Sequence, residues 1–479
     1  MWHREEDSRA RRKQEKLNRL FLPARNRIEA TSPPRRRIGK LTLWPLVAAT
    51  FFMVSGGTYG TEDIVHGAGY GRAIAILFLT PLIWSLPTAL MVGELSSAIP
   101  VEGGFYAWVR RGMGNFWGFQ EAWLSLVGSI FDMAIYPTLF VVYLARVFPW
   151  FDAGHRGVIV GLAMIIACTL MNIAGIRAVG TASLWLFLLL SAPFALLVLL
   201  APTKIGALSA AATAPTTSTV GLVGGILIAM WNYMGWDSAS TIAGEVERPQ
   251  RTYPRAMFLA VGVVSLSYIL PVSAAWATGL KASAFETGSW ADFAAMLGGP
   301  LLRLALVLGG MMSAFGMFNA LVMSYSRLPL AMAQDGMLPK MFCKLHGRTG
   351  APWVAILVCA AGWACCLGLG FSRLVTLDIL LAGTSVVLEF AALIALRILE
   401  PKLPRPFRVP GGMWGAWLIG VCPLLLLGFS VLRGEKEQVL GVSSFTLGLI
   451  LMAAGVVVYA IQGALLQTRR DRSVNTKAG

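Results

Sequence analysis

Ser55-Gly56-Gly57-Thr58-Tyr59-Gly60-Thr61-Glu62-Asp63 interrupts an apolar run, Leu41 to His66, near its middle. Asn232-Tyr233-Met234-Gly235-Trp236-Asp237 does the same to a second run, Val220 to Ala243. Opening a helix inside hydrocarbon strands N–H and C=O groups. Such a break survives only where it faces protein or a polar cavity. Paired breaks at corresponding places in two halves of a chain point to the binding site of a carrier.

The rest of the chain fits that reading. Of its 479 residues 56% are hydrophobic and 13% charged, against about a quarter charged in soluble domains. Twelve apolar stretches are long enough to cross a bilayer: Leu41–His66, Ile74–Ile99, Phe119–Phe148, Val158–Gly175, Val179–Leu200, Val220–Ala243, Met257–Leu280, Leu301–Ala333, Pro352–Gly370, Leu374–Leu396, Trp414–Leu432 and Val442–Leu466. An even number puts both termini on one side. With the termini inside, the tails and inner ends hold 31 of the 40 Lys and Arg and the outer ends nine. Positive charge stays inside, so the termini are expected in the cytoplasm of a multi-pass protein of the cell membrane. The surplus of +16 thus reports topology, not nucleic-acid binding. Thirteen of the basic residues lie in residues 1–40, expected to be a disordered cytoplasmic tail.

The breaks fall in spans 1 and 6. This implies two five-span halves, residues 41–200 and 220–398, inverted because five is odd. Residues 414–466 add two spans and 467–479 a cytoplasmic tail. Glu102-Gly103-Gly104 and the amphipathic Phe105 to Arg111 read as a helix lying on the inner surface. Phe285 to Leu297 reads as a cap over the outer entrance.

These stretches resemble the amino acid–polyamine–organocation transporter superfamily, nearest its polyamine-uptake and L-type amino acid branch. The likeness is carried by the two breaks, by Pro100-Val101-Glu102-Gly103-Gly104-Phe105, Phe131-Asp132-Met133-Ala134-Ile135-Tyr136-Pro137, Arg248 to Pro254, Gly316-Met317-Phe318, Asp335 to Pro339, Leu388-Glu389-Phe390 and Arg405-Pro406-Phe407-Arg408-Val409-Pro410. The resemblance implies an all-α integral membrane protein with the leucine-transporter fold, broken helices 1 and 6, alternating access, and import of amino acids or polyamines, commonly driven by protons. In two places the chain departs from the polyamine-uptake pattern. Asn319 stands where an acid usually follows Gly-Met-Phe, and Ala382 where a tyrosine is usual. Both remove a group that would hold a second amine. The expected function is therefore proton-coupled amino acid import, with polyamine or other organic cation uptake as the alternative and amino acid exchange a remoter one; sodium is the other coupling ion.

The expected substrate contacts are Ser55, Gly56, Gly57, Thr58 and Tyr59 with Trp231, Asn232, Gly235, Trp236 and Asp237, joined by Tyr136. Freed N–H groups near Thr58 suit a carboxylate. Freed carbonyls at Trp231 and Asn232 suit an ammonium. Tyr59 and Trp236 are either aromatic walls for an amine or packing groups. Asp237 either meets the amine or caps the half-helix that follows. Acids at membrane depth mark ion or substrate pathways or are held neutral for structure; Glu62, Asp132, Asp237 and Glu389 are the proton or cation candidates. Glu121 is expected to meet Arg110 or Arg111. Glu94, Glu102, Glu245 and Glu247 are expected to pair with Arg110, Arg111, Arg248, Arg251 and Arg255, as an inner gate or as static pairs.

Rival classes lack their signatures. The chain has no HExxH, GxSxG or P-loop motif, which argues against an enzyme. Its six cysteines and four histidines have no metal-ligand spacing, so neither metal nor cofactor is expected. A channel remains distinguishable by failing to move solute uphill. A nutrient sensor would be expected to carry a soluble output domain, and both tails are short.

Overall fold

The structure is a computed structural model that describes residues 41–101, 103–151, 155–175, 181–205, 219–433, 438–439 and 441–478. The basic tail at 1–40 and Glu102 lie outside the described residues. The described chain is helical apart from loops and a two-residue hairpin, Gln438–Val439 with Val442–Ser443.

The helices are α1 (Leu43–Val54), α2 (Glu62–Ala68), α3 (Tyr70–Ala98), α4 (Gly104–Met113), α5 (Asn115–Val147), α6 (Arg156–Ile173), α7 (Thr181–Leu200), α8 (Thr219–Asn232), α9 (Pro249–Thr278), α10 (Trp290–Gln334), α11 (Trp353–Ala364), α12 (Phe371–Leu399), α13 (Gly412–Arg433) and α14 (Ser444–Ala478). Among the described residues nine helices are long and apolar enough to cross a membrane. Leu43–Val54 and Trp353–Ala364 are apolar but shorter. Helix occurs in each of the twelve apolar stretches. Residues 290–334 are two helices meeting at Gly299, whose φ of 73° and ψ of −164° are not helical; Pro300 follows.

Two helices form the centre. In its apolar window α5 is 67% buried and α12 61%, against 17% for both α13 and α14. The last two turn leucines and isoleucines such as Leu418, Leu425 and Ile450 outward, where lipid is as good a solvent as protein. Helix α5 packs most extensively on α10 and α12.

Both expected breaks are present. Between α1 and α2, Ser55 to Thr61 is unwound, with Gly56 at φ 67° and Gly57 at φ 108°. A side chain on Gly56 would strike Met317 and Ser313. Between α8 and a nine-residue 3-10 helix at Asp237–Glu245, Tyr233 to Trp236 is unwound and Gly235 has φ 89°. Gly235 presses on the Met53 carbonyl, so a Cβ there has no room. The second break therefore touches the last turn of α1, just ahead of the first break.

Each break also repairs a proline elsewhere. Pro271 in α9 has no N–H for the Ser267 carbonyl one turn earlier, and Thr58 Oγ1 donates to that carbonyl at 2.6 Å. In α3, Pro81 strands the Leu77 carbonyl in the same way. Tyr233 Oη donates to it at 2.8 Å. The unwound segments are thereby pinned to α9 and α3 by hydrogen bonds that a continuous helix would not accept.

Candidate functional site

A cavity lies where the first broken helix ends, beside the second break. It is lined by Met53 and Val54 of α1, Ser125, Asp132 and Tyr136 of α5, Trp231 of α8, Met234, Gly235, Asp237 and Ser238 of the second break, Leu321 and Tyr325 of α10, and Asp378, Ala382, Ser385 and Val386 of α12. Helices α1 and α8 both end here, and the C-terminal ends of helices favour cations.

Three carboxylates share this space: Asp132, Asp237 and Asp378. No Lys, Arg or His is among the lining residues. Asp132 is held by three donors. Tyr136 Oη and Trp231 Nε1 reach its Oδ1 at 2.9 and 3.2 Å, and Tyr325 Oη reaches Oδ2 at 3.2 Å. Asp378 is 3% exposed and has no hydrogen-bond partner among the described residues. The Asp237 carboxylate lies by the backbone N–H groups of its own residue and Ser238 at the start of the 237–245 stretch. Among the described residues no three acidic, His or Cys groups are placed to hold a metal ion.

The structure brings together Asp132, Tyr136, Trp231, Gly235 and Asp237, and it leaves the other expected contacts outside the cavity. No residue of the first break lines it, and several of the break's polar groups already have partners. Gly57 N–H donates to Ser55 Oγ at 3.0 Å and Gly60 N–H to Glu62 at 2.7 Å. The Gly56 carbonyl accepts from Ser313, and the Thr58 carbonyl from Trp290. At the second break the Asn232 carbonyl accepts from Tyr268 at 2.7 Å and the Tyr233 carbonyl from Trp236 at 2.7 Å. An unpaired backbone group in a dry interior costs about 1–3 kcal/mol, and neighbouring side chains have filled these. The acidic groups facing the cavity are Asp132, Asp237 and Asp378.

Tyr59 donates to the Leu306 carbonyl and packs against Tyr143 and Phe194. Trp236 is fully buried; both are packing groups. Glu62 accepts from Tyr143, from Gly60 N–H, and from Gly288 N–H at 3.0 Å. Asp63 accepts from Thr287 at 2.7 Å. Both acids thus fasten the 286–290 loop, and Arg146 fastens it too through the Thr287 carbonyl while pairing with Asp292 in the first turn of α10. Glu389 is fully buried away from the cavity lining.

The ion pairs at the other end also differ from expectation. Arg110 meets Asp335, and Arg111 grips Glu400 at 2.7 and 2.6 Å. Glu94 is fully buried between Arg397 and Arg405 and accepts from Val409 N–H at 2.7 Å. The Arg405 to Pro410 stretch is thereby tied to α3 and α12. Glu121 meets neither Arg110 nor Arg111; its Oε1 lies within hydrogen-bond distance of the Ser125 and Ser385 hydroxyls. The Glu245 side chain lies outside the described residues.

Sequence reasoning missed Asp378. Its signal was available: an acid one turn before Ala382 in a helix otherwise apolar around it. The missing acid and tyrosine at Asn319 and Ala382 carry less than expected. Asn319 is engaged by Asn172 at 2.8 Å outside the cavity lining, and Asp378 supplies a carboxylate beside Ala382.

A broken-helix bundle around an acidic cavity defines a multi-pass membrane transporter. The family model for amino acid permeases matches residues 47–456. The chain is 35% identical to the polyamine transporter RMV1 of Arabidopsis thaliana over 426 residues, 88% of this chain and 87% of that protein. It is 34% identical to the polyamine transporter PUT1 of Oryza sativa subsp. japonica, over 89% and 80% of the two chains. An uncharacterized transporter of Mycobacterium tuberculosis is 27% identical over 92% and 94%. The chain belongs to the amino acid permease family, within the amino acid–polyamine–organocation superfamily.

Proposed function

We propose that this chain imports a polyamine-class organic cation across the cell membrane. The observation that carries this reading is the trio Asp132, Asp237 and Asp378 around one cavity with no basic residue in its lining. A diamine offers one ammonium to Asp378 and a second to Asp132 or Asp237. Tyr136 and Trp231, with ring centroids 6.3 Å apart, wall the space between and attract cations through their faces. The relatives named as polyamine transporters support the same choice. An amino acid is disfavoured, because its carboxylate would meet three carboxylates while the N–H groups of Gly57 and Gly60 are already taken.

On this reading the twelve stretches all span the membrane as two inverted five-helix repeats plus two helices, with both termini cytoplasmic. Transport is secondary and driven by protons, sodium being the other ion to test. Uptake into proteoliposomes under an imposed pH gradient decides the substrate. Tritiated putrescine, spermidine and agmatine are tested beside neutral, basic and acidic amino acids. Accumulation of diamines that unlabelled amino acids fail to inhibit is the expected result. The reverse pattern returns amino acid import to first place.

A further inference from the structure

Helices α5 and α12 run antiparallel and present matching polar rungs. Asp132 faces the cavity with Asp378; the next rung, Gly128 with Ala382, is the close approach. Then Ser125 Oγ and Ser385 Oγ meet at 2.8 Å. Beyond them come Glu121 and Glu389, each eleven residues from its aspartate, roughly 16 Å along a helix at about 1.5 Å per residue. Both glutamates are fully buried.

The serine rung has too few hydrogens for its contacts. Glu121 Oε1 lies 2.9 Å from Ser125 Oγ and 3.0 Å from Ser385 Oγ, and the two hydroxyls lie 2.8 Å apart. Three contacts need three hydrogens, and each serine brings one. The third comes only from an acid proton on Glu121. With it, Glu121 donates to Ser125, Ser125 to Ser385, and Ser385 back to Glu121, closing a ring. Without it, both hydroxyls donate to Glu121 and the serine oxygens face each other bare. Next along the seam, neither oxygen of Glu389 has a hydrogen-bond partner, nor has Glu121 Oε2. A buried carboxylate with no donor is far costlier than the neutral acid. The ionisable groups acting on this pair among the described residues are the two glutamates themselves, Asp237 from the second break, and Tyr106 from α4.

We propose that Glu121, closed into a ring with Ser125 and Ser385, is the site of the coupling proton, separate from the substrate cavity, and that Glu389 is the next station for that proton along the α5–α12 seam. The transfer makes and breaks only O–H bonds. Ser125 and Ser385 also line the cavity, so the direction of their hydroxyls reports the proton to the bound cation. This deepens the polyamine reading and rests on it for the identity of the driven solute.

The test joins infrared spectroscopy to transport in the full-length protein in proteoliposomes. An acid-minus-alkaline infrared difference spectrum is expected to show a buried carboxylic-acid C=O band that Glu121→Gln removes. Glu121→Gln supplies an amide donor to the ring. It is therefore expected to keep putrescine counterflow while losing accumulation driven by a pH gradient. Ser385→Ala is expected to shift the band without removing it. A band that persists in both Glu121→Gln and Glu389→Gln overturns the proposal, and so does undiminished gradient-driven accumulation by Glu121→Gln. If the wild-type protein moves no polyamine, that reading fails, and the infrared arm still decides where the proton sits.

Discussion

Replacing Asp378 by Asn removes a group able to carry a negative charge opposite an incoming ammonium and changes little else. The side chain is 3% exposed and has no hydrogen-bond partner among the described residues, so no internal bond is broken. At about 4 Å and an effective dielectric of about 20, an ammonium–carboxylate contact is worth roughly 4 kcal/mol. Stripping water from both groups offsets much of that; hydrogen bonds to charged groups net about 1.5–3 kcal/mol. A loss of ~2 kcal/mol corresponds to a Kd for putrescine weaker by roughly 30-fold, at about 1.4 kcal/mol per decade. The assay is equilibrium binding of tritiated putrescine to purified protein, with n-butylamine as a competitor that carries one ammonium. Butylamine, able to sit on Asp132 alone, is expected to lose less. Thermal stability in detergent is expected to hold or rise, since the Asp378 carboxyl has no hydrogen-bond partner to lose and shares the cavity with two other acids. An unchanged putrescine Kd in a stable Asp378→Asn protein would refute the reasoning.

The proline repair at the first break is open to a double-mutant cycle. Thr58→Val strands the Ser267 carbonyl and is expected to cost about 1–3 kcal/mol, while adding Pro271→Ala restores an N–H and recovers most of it; melting curves of the two singles and the double check this, and simple additivity would count against the repair. Glu94→Gln leaves Arg397 and Arg405 buried without their charge partner, and breaking such a pair costs about 3–5 kcal/mol. A large drop in the detergent melting temperature is expected, and a drop no greater than that of an exposed-site variant argues against it. Glu400 lies outside the spans, and the Arg111 fork holds its carboxyl below the ordinary value of 4.5. A depressed folded value means stabilisation that is present above pH 4.5 and lost as pH falls through the folded value. With Glu400 33% exposed, Glu400→Gln should cost about 0.5 kcal/mol at neutral pH and nothing in strong acid; a deficit that grows in acid would reverse the sign.

How much of this was legible in the residues depends on the range of the interaction involved. Apolar length is a property of consecutive side chains, so the helical stretches could be read from composition. Gly56, Gly57 and Gly235 announced the breaks, because a reversed φ is open at low cost only to a residue without Cβ. Depth along a span also follows from counting, so Asp132 and Asp237 stood out as intramembrane acids. Partners do not follow from counting. Whether the stranded carbonyls of Gly56 and Thr58 meet a solute or a neighbour depends on side chains, Ser313 and Trp290, that arrive from α10. That is decided when helices distant in sequence pack together. The same holds for Glu121, which local charge assigned to Arg110 or Arg111 and which packing gave to Ser125 and Ser385. Asp378 was visible as a residue and invisible as a site, because only the antiparallel register of α5 and α12 sets it opposite Asp132. The chain alone determined that this is a membrane carrier with two broken helices. Tertiary packing decided that its cavity is acidic, since a net charge in a shared space is a sum over helices that no single stretch contains.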